Sequence, residues 1–231
     1  MKRQTKDEAS SAYQSGDYVK AHELYTKLSQ EGDVSALSSL GFMYHNGQGV
    51  ERDYVKAAAL YHQAEMQNDP VALFYLGNLY FNGYGVERDL QKAHTYYLQS
   101  ATREVPLAQF EVALTFEYGD GCQQNYSEAA FWYEEAAKRG NIDAFNNLAA
   151  LYREGLGVAQ DYKKAFILFK KAADAGSPQA QFNLGAMYDM GLGCEEDKEK
   201  AIEYCRKAAF QGHEKAKGIM HRMQQDGSIV F

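Results

Sequence analysis

Residues 144–176 read AFNNLAALYREGLGVAQDYKKAFILFKKAADAG, and this stretch predicts a pair of helices. Small and apolar residues recur at i, i+4, i+7 and i+8 from Ala144 and at i, i+3, i+4 and i+7 from Ala165. Each spacing places one apolar stripe on a helix. Gly155 and Gly157 mark a short loop between the stripes, and Asp161 suits the N-cap of the second helix. The stretch is therefore predicted to form an antiparallel helical hairpin.

The same pattern recurs along the chain with a period of 36 residues. The alanine that opens each unit stands at Ala36, Ala72, Ala108, Ala144, Ala180 and Ala216. One hairpin cannot bury its apolar stripe alone, whereas stacked hairpins bury a continuous core. The sequence therefore predicts an all-α fold, a right-handed α-solenoid of stacked antiparallel helix-turn-helix repeats.

Each unit follows A-x-x-x-L-G-x-x-Y-x-x-G-x-G-V, then an Asp or Asn, then a K/E-A pair and an A-A pair. This pattern resembles the SEL-one-like repeat, a relative of the tetratricopeptide repeat with a longer loop between its helices. The resemblance covers roughly residues 34–213 in five full copies. It implies a protein-binding scaffold or adaptor, usually without catalysis.

We expect residues 1–231 to form a single domain. Its predicted parts are an N-terminal capping hairpin, five full repeats, a C-terminal capping helix and a tail. In that order they span residues 4–33, 34–69, 70–105, 106–141, 142–177, 178–213, 214–226 and 227–231. The apolar tail Ile229-Val230-Phe231 either folds over the last unit or docks elsewhere.

Three classes of residue within the repeats are assigned to structure. The predicted N-caps of the second helices are Asp53, Asp89, Asn125, Asp161 and Asp197. The three prolines share one column at the first helical position, where a missing N–H costs nothing; they are Pro70, Pro106 and Pro178. Glycines inside the first helices are expected where helices pack closely, at Gly41, Gly77 and Gly185.

Composition and charge limit the possible partners. A hydrophobic fraction of 45% is ordinary for a soluble protein and sufficient for a core. The net charge of −7 disfavours nucleic acid and anionic membranes, because both demand a basic surface. No apolar run is long enough for a signal peptide or a membrane span. A cytoplasmic location is therefore expected, with a processed leader as the alternative.

Cysteine usage agrees with a reducing compartment. Three cysteines cannot form a closed disulfide set. Cys122 and Cys194 fill the column held elsewhere by valine, which indicates small apolar residues rather than reactive thiols. Some secreted relatives join the two helices of each repeat by a regular cysteine pair, a pattern that this chain lacks.

The sequence carries no motif for catalysis, a metal or a cofactor. Its six histidines show neither H-E-x-x-H nor a cysteine-histidine cluster. No G-x-S-x-G is present. The G-x-G pairs lack the preceding strand and the longer pattern of a phosphate loop, so they are interpreted as backbone geometry. We expect no enzyme, no metal site and no cofactor.

The candidate binding surface is the concave side, which the first helix of each unit normally lines. Resemblance to tetratricopeptide repeats suggests that residues two, six and nine positions after the repeat alanine point inward. In the first full repeat these are Ser38, Phe42 and His45. The candidate partner-binding residues are Phe74, Asn78, Phe81, Phe110, Glu117, Asn146, Asn147, Arg153, Phe182, Asn183 and Asp189.

Two kinds of side chain motivate this choice. The phenylalanines are not required by the repeat pattern, and aromatic anchors in a groove serve peptide binding; the alternative is extra core between first helices. The asparagines could clamp the backbone of an extended peptide, since an amide both donates and accepts. For Asn147 and Asn183 a structural role is the alternative.

Charge predicts the kind of partner. Acidic residues make the second half of the concave side negative, so a segment with Lys or Arg would be attracted there; they are Glu111, Glu117, Glu154 and Asp189. A carboxylate clamp would need a basic residue beside the asparagines, and only Arg153 fits.

The function expected from sequence is a non-enzymatic protein–protein interaction scaffold or adaptor, which binds a partner peptide or loop on its concave face. The alternatives are a dedicated inhibitor or immunity-type protein, or a host-interaction factor, that binds one partner tightly. A hydrolase is a more distant alternative. The expected partner is another protein with an extended or basic segment, and neither nucleic acid nor membrane. We expect a monomer, with a dimer as the alternative.

Overall fold

A computed structural model describes residues 2–225, which form thirteen α-helices and no strand. The helices are α1 (Lys2–Gln14), α2 (Tyr18–Gln30), α3 (Val34–Asn46), α4 (Tyr54–Glu65), α5 (Pro70–Asn82), α6 (Leu90–Ala101), α7 (Pro106–Tyr118), α8 (Tyr126–Lys138), α9 (Ile142–Glu154), α10 (Tyr162–Asp174), α11 (Pro178–Met190), α12 (Lys198–Phe210) and α13 (Glu214–Gln225). The all-α prediction and the repeated helix-turn-helix order are confirmed. The tail Ile229-Val230-Phe231 lies outside the described residues.

The chain divides into two compact units after Gln124. In the first unit α1 pairs with α2, α3 with α4 and α5 with α6, each pair packs on the next, and α7 packs on α6. In the second unit α9 pairs with α10 and α11 with α12, while α8 packs on α9 and α13 on α12. Each unit is therefore a stack of helical hairpins. The assignment of one domain to the whole chain stays a prediction.

The second helices of the five full repeats begin at the predicted caps. Asp161 is representative, because its carboxylate accepts the backbone N–H of Lys164 at 2.9 Å. The same bond forms at Asp53, Asp89, Asn125 and Asp197. A side-chain cap of this kind stabilises a helix by about 1 kcal/mol. The three prolines stand at the start of α5, α7 and α11, as predicted.

Two glycine positions explain why the loops and the hairpins are so regular. A Cβ on Gly77 would lie 2.5 Å from the Tyr97 ring, so close packing of α5 against α6 requires glycine there, as predicted. Gly85 has a φ of 69°, and a Cβ there would collide with the backbone of Tyr54 at the start of α4. Each inter-helix loop thus rests on the beginning of the preceding second helix.

The core repeats with the same period. Large aromatic residues of the second helices are fully buried at Tyr61, Tyr97, Tyr133 and Phe169. Small residues of the first helices, such as Ala72 and Ala180, are also fully buried. The second helix therefore buries one large side chain in four of the five full repeats, and Cys205 stands at that position in the fifth. No helix in residues 2–225 combines the length and the apolar character needed to cross a bilayer.

Candidate functional site

A groove of about 400 Å³ opens on the first unit, mainly on the side formed by α1, α3 and α5. We call it the aromatic groove. Its lining residues are Tyr13, Tyr25, Ser35, Ser38, Ser39, Phe42, Asp69, Val71 and Tyr75.

Helical spacing explains how these residues meet. The α3 residues that line the groove lie at i, i+3, i+4 and i+7, from Ser35 to Phe42, and therefore share one helix face. Val71 and Tyr75 lie one turn apart on α5, and Asp69 is the N-cap of that helix. Tyr13 belongs to α1, the first helix of the N-terminal hairpin. Successive hairpins thus contribute their first helices to one surface.

Aromatic rings form the floor of the groove. The ring centroid of Phe42 lies 6.3 Å from that of Tyr13 and 5.4 Å from that of Tyr75. The buried Tyr61 stacks under Tyr75 with centroids 5.1 Å apart and therefore supports the floor from the core. Burial raises the pKa of Tyr13 and Tyr75, so both side chains are neutral phenols near pH 7.

The polar groups of the groove are fixed by hydrogen bonds within the protein. Asp69 accepts the N–H of Val71 at 2.8 Å and the hydroxyl of Ser38 at 2.7 Å. The hydroxyls of Ser35 and Ser39 donate to the Asp33 carboxylate at 2.7 Å and to the Ser35 carbonyl at 3.0 Å. These hydroxyl protons are already used, so the serines turn mainly oxygen lone pairs toward a ligand.

The sequence analysis found only part of this groove. It placed Ser38 and Phe42 in inward-facing columns but did not select them as binding residues. Tyr13, Tyr25 and Tyr75 were missed because they lie outside the three columns considered. Tyr75 could have been found from the repeat. It occupies the same repeat position as Asn147 and Asn183, which were selected as candidates in later units.

The candidate residues on α5 mainly contact their own hairpin. Phe74 is only 8% exposed, and its ring contacts Tyr75 and Tyr97 with centroids 5.2 and 6.1 Å apart. The Asn78 side chain accepts the Tyr97 hydroxyl at 2.8 Å. Phe81 is half-buried at the end of the helix. These contacts favour packing for Phe74 and Asn78, while a binding role for them stays a prediction.

The two candidates on α7, Phe110 and Glu117, are half-buried. The Glu117 carbonyl accepts the Gln124 side-chain amide at 2.7 Å. Glu111 lies on the same helix, and burial raises the pKa of its carboxyl group. None of these residues lines the aromatic groove.

The asparagines of the second unit bond to one another. Asn183 donates to Asn146 at 3.0 Å, Asn146 to Asn147 at 3.1 Å, and Asn147 to the Tyr133 hydroxyl at 3.1 Å. This chain of amides links α8, α9 and α11. It supports the structural alternative given above, and the peptide clamp stays a prediction.

Phe182 and Asp189 line a smaller cavity of about 180 Å³ between α11, α12 and α13. Ile202, Ile219 and Met223 make its walls largely apolar. The exposed Asp189 carboxylate accepts the Lys198 ammonium at 3.0 Å. The Arg153 guanidinium on α9 bonds Glu154 at 2.8 Å. Part of the predicted acidic surface is therefore balanced by neighbouring cations.

Thiols and metal-ligand side chains suggest no further chemistry. Burial raises the pKa of Cys122, Cys194 and Cys205, which disfavours the reactive thiolate. Across residues 2–225, no three His, Cys, Asp or Glu side chains are grouped in a way that could hold a metal ion.

Stacked helix-turn-helix units and a groove along their first helices define a repeat protein of the α-solenoid class. The sequence profile of the Sel1 repeat matches residues 11–33, 34–69, 70–104, 106–141, 142–177 and 178–213. The chain therefore belongs to the Sel1 repeat family, which is the SEL-one-like repeat named above. Sel1 repeats generally form non-catalytic protein-interaction folds. No curated protein matches the sequence.

Solved structures agree with this assignment. A Sel1 repeat protein from Oxalobacter formigenes is 30% identical with a TM-score of 0.85, over 94% of this chain and 89% of that one. The protective antigen c5321 of uropathogenic Escherichia coli, which displays an SLR fold, is 27% identical with a TM-score of 0.86. That match covers 98% of this chain but 52% of the antigen, so the chain spans about half of the antigen's length.

A more distant likeness concerns the immunity protein PA5088 from Pseudomonas aeruginosa. It is 21% identical with a TM-score of 0.56, over 96% of this chain and 84% of that protein. At this identity the likeness shows a shared fold alone.

Proposed function

We propose that the protein is a non-enzymatic interaction scaffold that binds an extended segment of a partner protein in the aromatic groove. The observation that carries this proposal is the aromatic floor of Tyr13, Phe42 and Tyr75 on the first helices of successive hairpins. Buried aromatic anchors in a pocket are the usual centre of peptide-binding energy.

The size of the groove fits a short peptide. Its volume of about 400 Å³ is within the range of roughly 300–1,000 Å³ that is typical of ligand sites. The floor runs from Tyr13 through Phe42 to Tyr75, with ring centroids 6.3 and 5.4 Å apart. An extended chain crosses a span of about 12 Å with about three or four residues.

The shape of the groove is held by contacts within the protein. Tyr61 stacks beneath Tyr75, and Ser38 and Asp69 are joined by a hydrogen bond of 2.7 Å. A preformed surface loses little entropy on binding, which favours affinity for a flexible partner segment. Family membership supports the same role, since Sel1 repeats generally bind other proteins.

The alternative is tight binding of one dedicated partner, as expected of an immunity-type or host-interaction protein. The likeness to PA5088 supports the fold alone, so it does not favour this alternative over an adaptor. We further propose a cytoplasmic location, because free thiols at Cys122, Cys194 and Cys205 suit a reducing compartment.

The proposal is tested by selecting binders from a displayed library of random linear peptides. Selected peptides are then measured on the wild-type protein and on Phe42→Ala, which removes the middle ring of the floor. We expect at least about tenfold weaker binding, since a central aromatic anchor contributes roughly 2 kcal/mol or more. Val55→Ala on α4 is the control, because Val55 is 66% exposed and does not line the groove.

Helicity and thermal unfolding of both variants must match those of the wild type before affinities are compared. Peptides that bind Phe42→Ala as tightly as the wild type would show that the groove is not the site. A natural partner bound one-to-one, with slow dissociation and no other ligands, would favour the dedicated-partner alternative.

A further inference from the structure

We propose that the aromatic groove selects a positively charged side chain, with arginine preferred to lysine, in the partner segment. This inference rests on the proposed function and adds the chemistry of the residue that the floor receives. It follows from three properties of the lining: its one ionised group, the direction of its hydroxyl groups, and the arrangement of its rings.

Among residues 2–225, Asp69 is the one charged residue in the lining, and no Lys, Arg or His accompanies it. Its carboxylate accepts one hydrogen bond at each oxygen, from Val71 and from Ser38. Each carboxylate oxygen can accept a further bond, so Asp69 can also receive a donor from a ligand. The positive end of α5 offsets about half of its charge, and a negative site remains.

The hydroxyl groups strengthen this preference. Ser35, Ser38 and Ser39 donate their protons to protein acceptors, and the Tyr13 hydroxyl donates to the Gln48 side chain at 2.7 Å. A ligand therefore meets oxygen lone pairs rather than hydroxyl protons along α3. The nearby Lys6 does not supply a competing cation to the groove, because its ammonium lies 3.4 Å from Asp33.

The ring arrangement suits a planar cation. A cation within about 6 Å of a ring centroid is attracted by the negative face of the ring. The Phe42 ring is inclined by 66° to Tyr13 and by 57° to Tyr75, with centroids 6.3 and 5.4 Å away, so the three faces point in different directions and a cation is received by the face of one ring at a time. A guanidinium stacks on aromatic faces and presents donors in its own plane, which is why arginine fits better than lysine.

An apolar side chain would pack well on the aromatic floor but would form no hydrogen bond with Asp69 or the serines of α3. It would remove water from Asp69 and from the serine oxygens without offering a donor in return, and such desolvation is unfavourable. The guanidinium of an arginine stacks on the aromatic floor, while the donors in its plane are directed to the Asp69 carboxylate. Charge complementarity therefore distinguishes arginine from leucine or phenylalanine at this position.

The test uses peptides selected on the wild-type protein and resynthesised with citrulline, a neutral isostere, in place of arginine. We expect about five- to tenfold weaker binding of the citrulline peptide, together with loss of most of its dependence on salt. Asp69→Asn is the matched protein variant, since its side-chain oxygen can keep the cap on Val71 while its NH2 group donates to the Ser38 oxygen. It should weaken the arginine peptide and leave the citrulline peptide unchanged.

The outcomes separate this inference from the proposed function. Peptides that depend on Phe42 but show no enrichment of Arg or Lys, and that bind Asp69→Asn normally, would overturn the inference and leave the groove as the site. Peptides that ignore Phe42 would overturn both. The citrulline comparison is made on the wild-type protein, so the test stands even if Asp69→Asn does not fold.

Discussion

Tyr61 and Tyr97 occupy equivalent positions on α4 and α6, and both side chains are buried. The Tyr97 hydroxyl donates to Asn78 at 2.8 Å, whereas the Tyr61 hydroxyl has no hydrogen-bond partner within residues 2–225. The repeat explains the difference, because the position of Asn78 is held by Phe42 in the preceding unit. Burial raises the pKa of both phenols, and both stay neutral. The same residue type thus meets two different environments.

We therefore expect opposite results from one substitution. Tyr97→Phe loses a hydrogen bond and leaves the Asn78 amide with one partner fewer, which should lower the free energy of unfolding by about 0.5–1.5 kcal/mol. Tyr61→Phe removes a buried hydroxyl without a partner and should be neutral or stabilising. Urea unfolding monitored by circular dichroism measures both. Equal destabilisation by the two changes would contradict the difference in environment.

At the scale of the element, the carboxylate caps link helix stability to pH. Asp197 accepts the N–H of Lys200 at 3.0 Å, and this backbone bond, with the Lys200 ammonium, lowers the pKa of its carboxyl group. A lowered pKa in the folded state stabilises the fold above the unfolded pKa of about 3.9. This stabilisation is lost as the pH falls through the folded pKa.

The expected result concerns the thermal midpoint as a function of pH. Asp197→Ala should lower the midpoint at pH 7, and the gap to the wild type should narrow as the pH falls below about 4. Asp197→Asn is the control, because it retains a cap that does not titrate. A gap that stayed constant down to the lowest pH would show that the charged cap does not contribute.

Elements were the easiest feature to predict, and the site was the hardest. The helices could be predicted from the 36-residue period. In each full unit the spacing of the apolar stripe, an N-cap equivalent to Asp161 and the loop glycines all indicate the same helix boundaries. The groove was only partly predictable, since Tyr13 and Tyr25 come from the N-terminal hairpin, whose shorter loop departs from the repeat pattern. Phe74 shows why exposure could not be predicted. Sequence spacing gives the side of the helix on which it lies, but not that its side chain is only 8% exposed.

For the whole molecule, we expect ligand binding to slow hydrogen exchange more in some helices than in others. A ligand that binds only the folded protein stabilises it by about 2.7 kcal/mol at a concentration one hundred times its Kd. If the aromatic groove is the site, hydrogen exchange should slow most in α1, α3 and α5. Peptide-bound and free protein are compared by exchange and mass spectrometry, with α9 and α11 as internal references. Greater protection in α9 and α11 would place the ligand on the second unit, and equal protection throughout would contradict the predicted site.

The position of Tyr13 on the N-terminal hairpin has a consequence for how the aromatic groove can be altered. Phe42 and Tyr75 belong to repeats that keep the 36-residue period, whereas Tyr13 lies on a hairpin whose shorter loop departs from it. A substitution at Tyr13 would therefore change the lining of the groove and leave the residues that define the period in place.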